Sequence, residues 1–226
     1  MSFARAAYAR LRLSLGAAPL SVHWGADRGQ PIHRYYIEQF FDRHRARIRG
    51  RCLEFNDRRY LDQFSDGRAT RVDVIHLEEG NPEATIVADL TQKNSIPDGA
   101  FDAIVCSHVL HIVFDLEAMV RELYRILAPG GALLVAVPAV SMAGPEYPEL
   151  WRFTPLGLRK TLERAFAPDQ LQIAAFGSSL TAAAELRGVV AEELGPALLG
   201  AHDARFAVEV CALATRPPLA EGAGAA

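Results

Sequence analysis

The stretch Phe101-Asp102-Ala103-Ile104-Val105-Cys106-Ser107-His108-Val109-Leu110-His111, continued through Pro129-Gly130-Gly131 into Ala132-Leu133-Leu134-Val135-Ala136-Val137-Pro138, decides the fold. An apolar run of strand length gives way to a polar elbow and then to helical periodicity. Asp115 is suited to cap a helix, and Leu116, Met119, Val120, Leu123 and Leu127 recur at helical spacing before Pro129-Gly130-Gly131 stops it. A second apolar run follows. Strand, helix and strand in that order describe a crossover between parallel strands.

Outward from this unit, short Val- and Ile-rich runs read as strands at Cys52–Phe55, Arg71–Ile75, Thr85–Ala88 and Leu171–Phe176. Phe206–Leu213 alternates Phe, Val and Val with Ala, Glu and Cys, as a strand with unequal faces would, and Leu180–Leu194 reads as a helix. With Phe101–Cys106 and Ala132–Val137, the pattern predicts an α/β fold: a seven-stranded, mostly parallel sheet with helices on both faces. Residues 1–48 are mostly helical in pattern, broken between Gly16 and Pro31, and form a helical lead-in or lid. Residues 49–215 make the sheet domain, and residues 216–226 lack periodicity and are expected to be disordered. The long irregular connection at residues 139–155 has the character of a functional loop.

Composition narrows the function classes. The chain has 226 residues, is 50% hydrophobic and 23% charged, and carries a formal net charge of −3, which suits a globular domain with a sizeable core. Acidic and basic side chains are interspersed without a basic stripe, so no nucleic-acid partner is expected. No apolar run approaches the roughly 20 residues that span a bilayer, and none resembles a signal peptide, so a cytoplasmic location without membrane association is expected. Cys52, Cys106 and Cys211 each lie in an apolar run, and none has a partner at metal-ligand spacing.

Ligands of open parallel sheets bind beyond the carboxyl ends of the strands. Polar residues at those ends are Glu54 to Asp57 after the first strand, Asp89 after the third, and Ser107 and His108 after the fourth. Asp73 follows Glu54 by 19 residues, close to the spacing at which an acid accepts hydrogen bonds from ribose hydroxyls; Glu78 takes that role if the second strand runs longer.

Phe101-Asp102, Val109-Leu110-His111, Arg125-Ile126-Leu127 and Pro129-Gly130-Gly131, in this order and spacing, resemble the type 11 branch of class I S-adenosylmethionine (SAM)-dependent methyltransferases over roughly residues 50–140. Trp151-Arg152-Phe153-Thr154-Pro155 and the stretch from Trp24 to Ile37 extend the likeness to a subgroup of sugar, polysaccharide and natural-product pathways. The resemblance implies a Rossmann-like sheet with an antiparallel last strand and SAM as cofactor. It places Glu54, Phe55, Asn56, Asp57 and Tyr60 near the methionine part and Asp73 and Val74 at the ribose. Asp89 and Leu90 would flank the adenine, with Ser107 and His108 near the methyl. The family's loop after the first strand reads acid-Gly-x-Gly-x-Gly in its general form, and here Asn56, Arg58 and Tyr60 stand at the glycine positions. Asparagine enters the left-handed region more readily than other non-glycine residues, whereas Arg58 and Tyr60 are expected to narrow or cover the pocket.

A hydroxyl acceptor of a methyl group benefits from a base, and histidine is suited to that task near neutral pH. His108 is the first candidate and His111 the second. Arg28, Arg34, Tyr35, Tyr36, Tyr147 and Trp151 are candidates for holding an anionic group or shaping the acceptor pocket, and no metal site is expected. The resemblance thus implies methyl transfer from SAM to a small molecule, with a sugar or secondary-metabolite hydroxyl favoured. The alternative is a methyltransferase fold turned to cofactor-independent cyclase or lyase chemistry, or to binding and regulation. Oligomeric state is left open, a homodimer included.

Overall fold

The computed structural model describes residues 3–14, 16, 18–144 and 148–219. Its seven strands are β1 (Gly50–Phe55), β2 (Ala69–His76), β3 (Ile86–Val87), β4 (Phe101–Ser107), β5 (Leu127–Pro138), β6 (Leu171–Phe176) and β7 (Glu209–Thr215). They form one sheet in the order β3-β2-β1-β4-β5-β7-β6. Every pairing is parallel except those of β7, which lies antiparallel between β5 and β6. This is the expected Rossmann-like sheet, and its strand order reverses between β1 and β4, so the ligand crevice lies above their carboxyl ends.

The helices are α1 (Phe3–Ser14), α2 (Ile32–His44), α3 (Arg59–Phe64), α4 (Leu116–Ile126), α5 (Pro155–Leu162), α6 (Ser179–Leu186), α7 (Ala191–Leu194) and α8 (Pro196–Leu199). Alternate residues of the central strands feed two cores. Leu53, Ile104, Cys106, Leu133 and Val135 pack under α4 and α5, while Cys52, Ala103, Val105, Leu134 and Ala136 pack under α2 and α3. All three cysteines are free and buried. Among the described residues, no helix is long and apolar enough to cross a membrane.

Helix α4 forms for the reasons its sequence supplies. The Asp115 carboxylate accepts from the Ala118 backbone N–H at 2.9 Å, and Met119, Val120, Leu123 and Ile126 bury one face. Its end differs from expectation. The helix closes at Ile126, and Pro129-Gly130-Gly131 lies inside β5, where the strand bulges past Asp102. A Cβ on Gly131 would stand 2.8 Å from the Ala128 carbonyl oxygen and 3.0 Å from that of Asp102, so the close strand approach requires glycine there. The helix carbonyls are capped from the far end of the chain. The Arg216 guanidinium donates to the carbonyls of Leu127, Arg125 and Tyr124 at 2.6, 3.2 and 3.3 Å. Arg216, expected in a disordered tail, is therefore held in place, because its charge meets the carbonyls at the junction of α4 and β5; residues 220–226 lie outside the described residues.

Two further expectations are revised. Leu180–Leu194 is not one helix, because α6 ends at Leu186 and the chain turns at Gly188 before α7. Gly188 has φ +66°, and a Cβ there would sit 2.7 Å from the Ser21 backbone oxygen. The lead-in docks against this turn through Leu20 N–H to the Arg187 carbonyl (2.7 Å) and a bridge between Pro31 and Val190. The last strand begins at Glu209 rather than Phe206, and it has no polar face: with β5 and β6 on its two edges and helices over it, Glu209 is fully buried.

Replacing Arg216 with Ala should lower stability by about 1–3 kcal/mol, since charge-assisted hydrogen bonds to partly buried carbonyls are lost. Urea unfolding of the wild type and the variant measures this.

Candidate active site

The loop after β1 shows how the chain manages without the three glycines. Asn56 has φ +70°, the left-handed conformation that the first glycine position needs. Arg58 has φ −114°, open to any residue, and its side chain turns outward to Asp62 at 2.8 Å. Tyr60 points into the core, edge-on to Phe41 at 4.9 Å, and burial pushes its phenol up to about 12 while Arg34 and a Ser107 hydrogen bond oppose the shift. Neither Arg58 nor Tyr60 lines the cavity above the carboxyl ends of β1, β2 and β4: Tyr60 turns into the core, and Arg58 borders a separate groove. The buried Glu54 carboxylate accepts from the backbone N–H of Tyr60 at 3.1 Å and Leu61 at 2.8 Å, which caps α3. Burial, against those two bonds, raises the Glu54 carboxyl to about 8.

Above the carboxyl ends of β1, β2 and β4 opens a cavity of about 440 Å³. Phe55, Ile75, Leu77, Ala88, Leu90, Val109, Ile112, Val113, Phe114 and Met119 give it apolar walls, and His76, Asp89, Thr91, Gln92 and Asp115 supply polar groups. Of the residues expected at a cofactor, Phe55, Asp89 and Leu90 line it. The Asp89 Oδ1 accepts from the Thr91 N–H and hydroxyl at 2.8 and 2.7 Å, which fixes the turn after β3.

Asp73 stands lower on β2 and is saturated: Arg51 Nε donates at 2.7 Å, Arg71 at 3.3 Å and the Thr85 hydroxyl at 3.1 Å. Burial would raise its carboxyl, but these partners hold it below the usual range. Val74 faces the other way, lining a separate groove of about 480 Å³ with Asp57, Arg58 and Thr85, because successive residues of a strand point to opposite faces. Strand β2 runs on to His76, which puts the exposed Glu78 just past its end.

Beyond Ser107, β4 ends in a histidine cluster. His108 takes φ +52°, rare for a residue with a side chain. Its Nε2 lies 3.1 Å from both carboxylate oxygens of Glu209, brought to the same end of the sheet by the antiparallel run of β7. The His111 ring meets His108 edge-on, with centroids 5.4 Å apart. It is buried with its Nδ1 unpartnered, and burial, reinforced by His108, pushes it down to about 3, so it is neutral at ordinary pH. On the other side of His108 lies His33, the second residue of α2, with ring centroids 5.2 Å apart and planes 26° from parallel. His33 Nδ1 is 2.7 Å from the Glu185 Oε1 of α6, whose other oxygen accepts the His33 backbone N–H at 3.2 Å. Burial disfavours charge on His33, but Glu185 outweighs it and raises the imidazole above its ordinary value.

The remaining candidates separate by environment. Arg34 makes no ion pair among the described residues and bears electrostatically on Tyr60 and His33. Arg28 is committed to the buried Glu193 at 2.5 Å, a carboxylate it shares with Arg5. Tyr36 is a core residue rather than part of a lid: it is fully buried, stacks on Phe176, and donates to the Leu199 carbonyl at 3.1 Å. Tyr35 is half-buried against it. Trp151 stands 38% exposed beside the site, its indole N–H on the Val113 carbonyl at 2.8 Å. Tyr147 lies outside the described residues. No group of three or more metal-ligating side chains comes together among the described residues.

Sequence reasoning missed Glu209, Glu185 and the placement of His33. Glu209 carried one signal, a charge inside an otherwise apolar run. Glu185 and His33 carried none, since their partnership spans 152 positions of chain.

A family model described as a methyltransferase domain matches residues 60–135. Probable polyketide synthase 7 of Dictyostelium discoideum is 32% identical over 82 residues, which are 34% of this chain and 3% of that protein. The match thus spans only a small part of that relative. A SAM-dependent methyltransferase from Archaeoglobus fulgidus superposes with a TM-score of 0.55 at 13% identity, over 81% of this chain and 94% of that one. The 1,6-didemethyltoxoflavin-N1-methyltransferase of Burkholderia thailandensis, solved with its substrate and S-adenosylhomocysteine, gives 0.52 at 14% identity, over 83% and 79% of the two chains. The fold is that of the class I methyltransferases.

Because the folded chain keeps His111 neutral, its contribution to stability is full above pH 6.5 and is lost as pH falls toward about 3. At pH 4.5 this loss should amount to about 2 kcal/mol relative to pH 7. His111→Gln should remove that part of the acid sensitivity, read from urea midpoints at the two pH values.

Proposed function

We propose that this protein is a SAM-dependent methyltransferase acting on an oxygen of a small molecule. The observation that carries the reading is the His108–Glu209 pair standing past the end of β4 beside the apolar cavity. The cavity suits the cofactor in chemistry and position. Its apolar walls suit an adenine ring; Asp89 and Leu90 would flank that ring, and Glu78 would accept the ribose hydroxyls in place of the saturated Asp73. The left-handed Asn56 lets the chain pass close to the ligand as glycine would, and Arg34, free of a carboxylate, would hold the methionine carboxylate.

Bound SAM would supply a methyl group on a positively charged sulfur, whose carbon–sulfur bond breaks as the acceptor oxygen bonds to carbon. The protein's own part is alignment, exclusion of water and removal of one proton. Glu209 accepts from Nε2–H of His108, which fixes the tautomer and leaves Nδ1 as the basic atom toward the acceptor. The toxoflavin enzyme of like fold is an N-methyltransferase by name, and a positioned base favours oxygen, because an amine needs only to be unprotonated. The partial match to a polyketide synthase supports a natural-product acceptor, in keeping with the subgroup likeness of the Trp151–Pro155 segment.

Calorimetric titration with S-adenosylhomocysteine should show binding, and a folded sample without it would defeat this reading. Glu78→Ala should weaken that binding by about 1–3 kcal/mol, whereas Asp73→Ala should act mainly on stability. His108→Gln and Glu209→Gln should each lower turnover by about 10²- to 10⁴-fold with cofactor affinity kept; equal loss of both would assign the pair a structural role.

A further inference from the structure

Strand β6 closes one side of the sheet, and its outer edge is open. It pairs with β7 alone, in a register that runs unbroken from Leu171–Ala214 to Phe176–Glu209. The Phe176 carbonyl accepts the Val208 N–H at 2.8 Å, so the backbone groups of Phe176 turn toward β7. The following residue turns the other way: Gly177 donates to His202 Nδ1 at 3.1 Å and accepts from the Asp203 N–H at 2.7 Å. By the same alternation Leu171, Ile173 and Ala175 direct N–H and C=O outward, and none of these groups has a partner among the described residues.

Proteins blunt such edges with charge, proline, a bulge or shortness. The opposite edge follows that rule, because β3 is only Ile86–Val87. The β6 edge does not. Leu171-Gln172-Ile173-Ala174-Ala175-Phe176 carries no charge and no proline, and its pairing has no bulge. The open stretch is bounded by the turn Pro168–Gln170 at one end and by His202–Asp203 at the other.

We propose that this edge docks a second copy of the chain, β6 against β6 in antiparallel sense, joining two sheets across a twofold axis at Ile173. The register favours a copy over a foreign strand, because the outward residues are spaced evenly about Ile173. A twofold there sets Ile173 opposite its own copy and Leu171 opposite Ala175, so every outward N–H meets an outward C=O. Side chains agree: Leu171, Ile173 and Ala175 share the face under α4 and α5, Gln172 and Ala174 meet on the other, and no like charges face each other. The ends are complementary as well. Asp169 is exposed just before the strand, and Arg205, held on Asp203 beside Gly177, has its Nη1 unengaged among the described residues. The twofold brings Asp169 of each copy to Arg205 of the other. Phe206, 45% exposed beside that arginine, is then covered by the turn at Pro168 of the other copy.

Light scattering on the full chain should give twice the mass of one chain at about 0.1 mM, where a dimer of micromolar affinity is formed. A monomer at that concentration overturns the proposal. Ala175→Pro removes an outward donor and sets a ring where the other copy approaches, while the bonds from β6 to β7 are kept. It should raise the dissociation constant at least about tenfold, and unchanged affinity in the folded variant overturns the proposal. Should that variant fold poorly, the exposed Asp169→Arg sets like charges together and should also weaken the dimer; unchanged affinity again overturns it. In the wild type, the Ile173 amide should exchange with solvent at least about tenfold more slowly at high protein concentration than in dilute solution. Exchange independent of concentration overturns it too. None of these measurements involves a cofactor or an acceptor, so the outcome is separate from the methyltransferase reading.

Discussion

A carboxylate with no access to water has to find a partner, and Glu209 is such a group. Strand β7 runs antiparallel between β5 and β6, so its first residue lies at the carboxyl end of the parallel strands, fully buried. Burying a charge there is costly unless it is paired and hydrogen-bonded. The partner is His108, which adopts a left-handed backbone to reach it. The position of His33 and the edge-on contact of His111 are built around that ring. The histidine cluster past β4 is thus set by where the one antiparallel strand begins.

The cofactor end depends on a different constraint. Glycines in the loop after β1 answer two needs, an unusual backbone and a close ligand approach. Here the first need is met by Asn56 alone, because the chain bends into α3 directly and Arg58 keeps an ordinary conformation. Glu54 holds the turn by capping α3 with its buried carboxylate. Replacement of all three glycines therefore changes how the loop is supported and leaves the cavity open.

Much of the fold was legible because local forces agree with it. Asp115 as cap, the apolar stripe of α4, and the Val- and Ile-rich runs each specify an element within about a dozen residues. The boundaries that moved did so where distant chain intervenes: Arg216 caps α4 across 89 positions from Leu127, and Ser21 turns the segment at Gly188. The site was less legible. His108 was visible at a strand end, but the saturation of Asp73 depended on Arg51 of the neighbouring strand, and the inward turn of Tyr60 depended on Phe41 of α2.

By itself the sequence determined the kind and order of the elements, since apolar spacing, caps and turn residues act over short range. From that order followed an α/β sheet with its crevice above β1 and β4. The tertiary structure alone decided which side chains meet at the carboxyl end of the sheet. His108 and Glu209 are 101 positions apart and His33 and Glu185 are 152 apart, so no local pattern relates them. They meet because hydrogen-bonded strand order and core packing bring one end of β7, the start of α2 and the end of α6 to the same edge, and burial then forces each carboxylate onto the imidazole within reach.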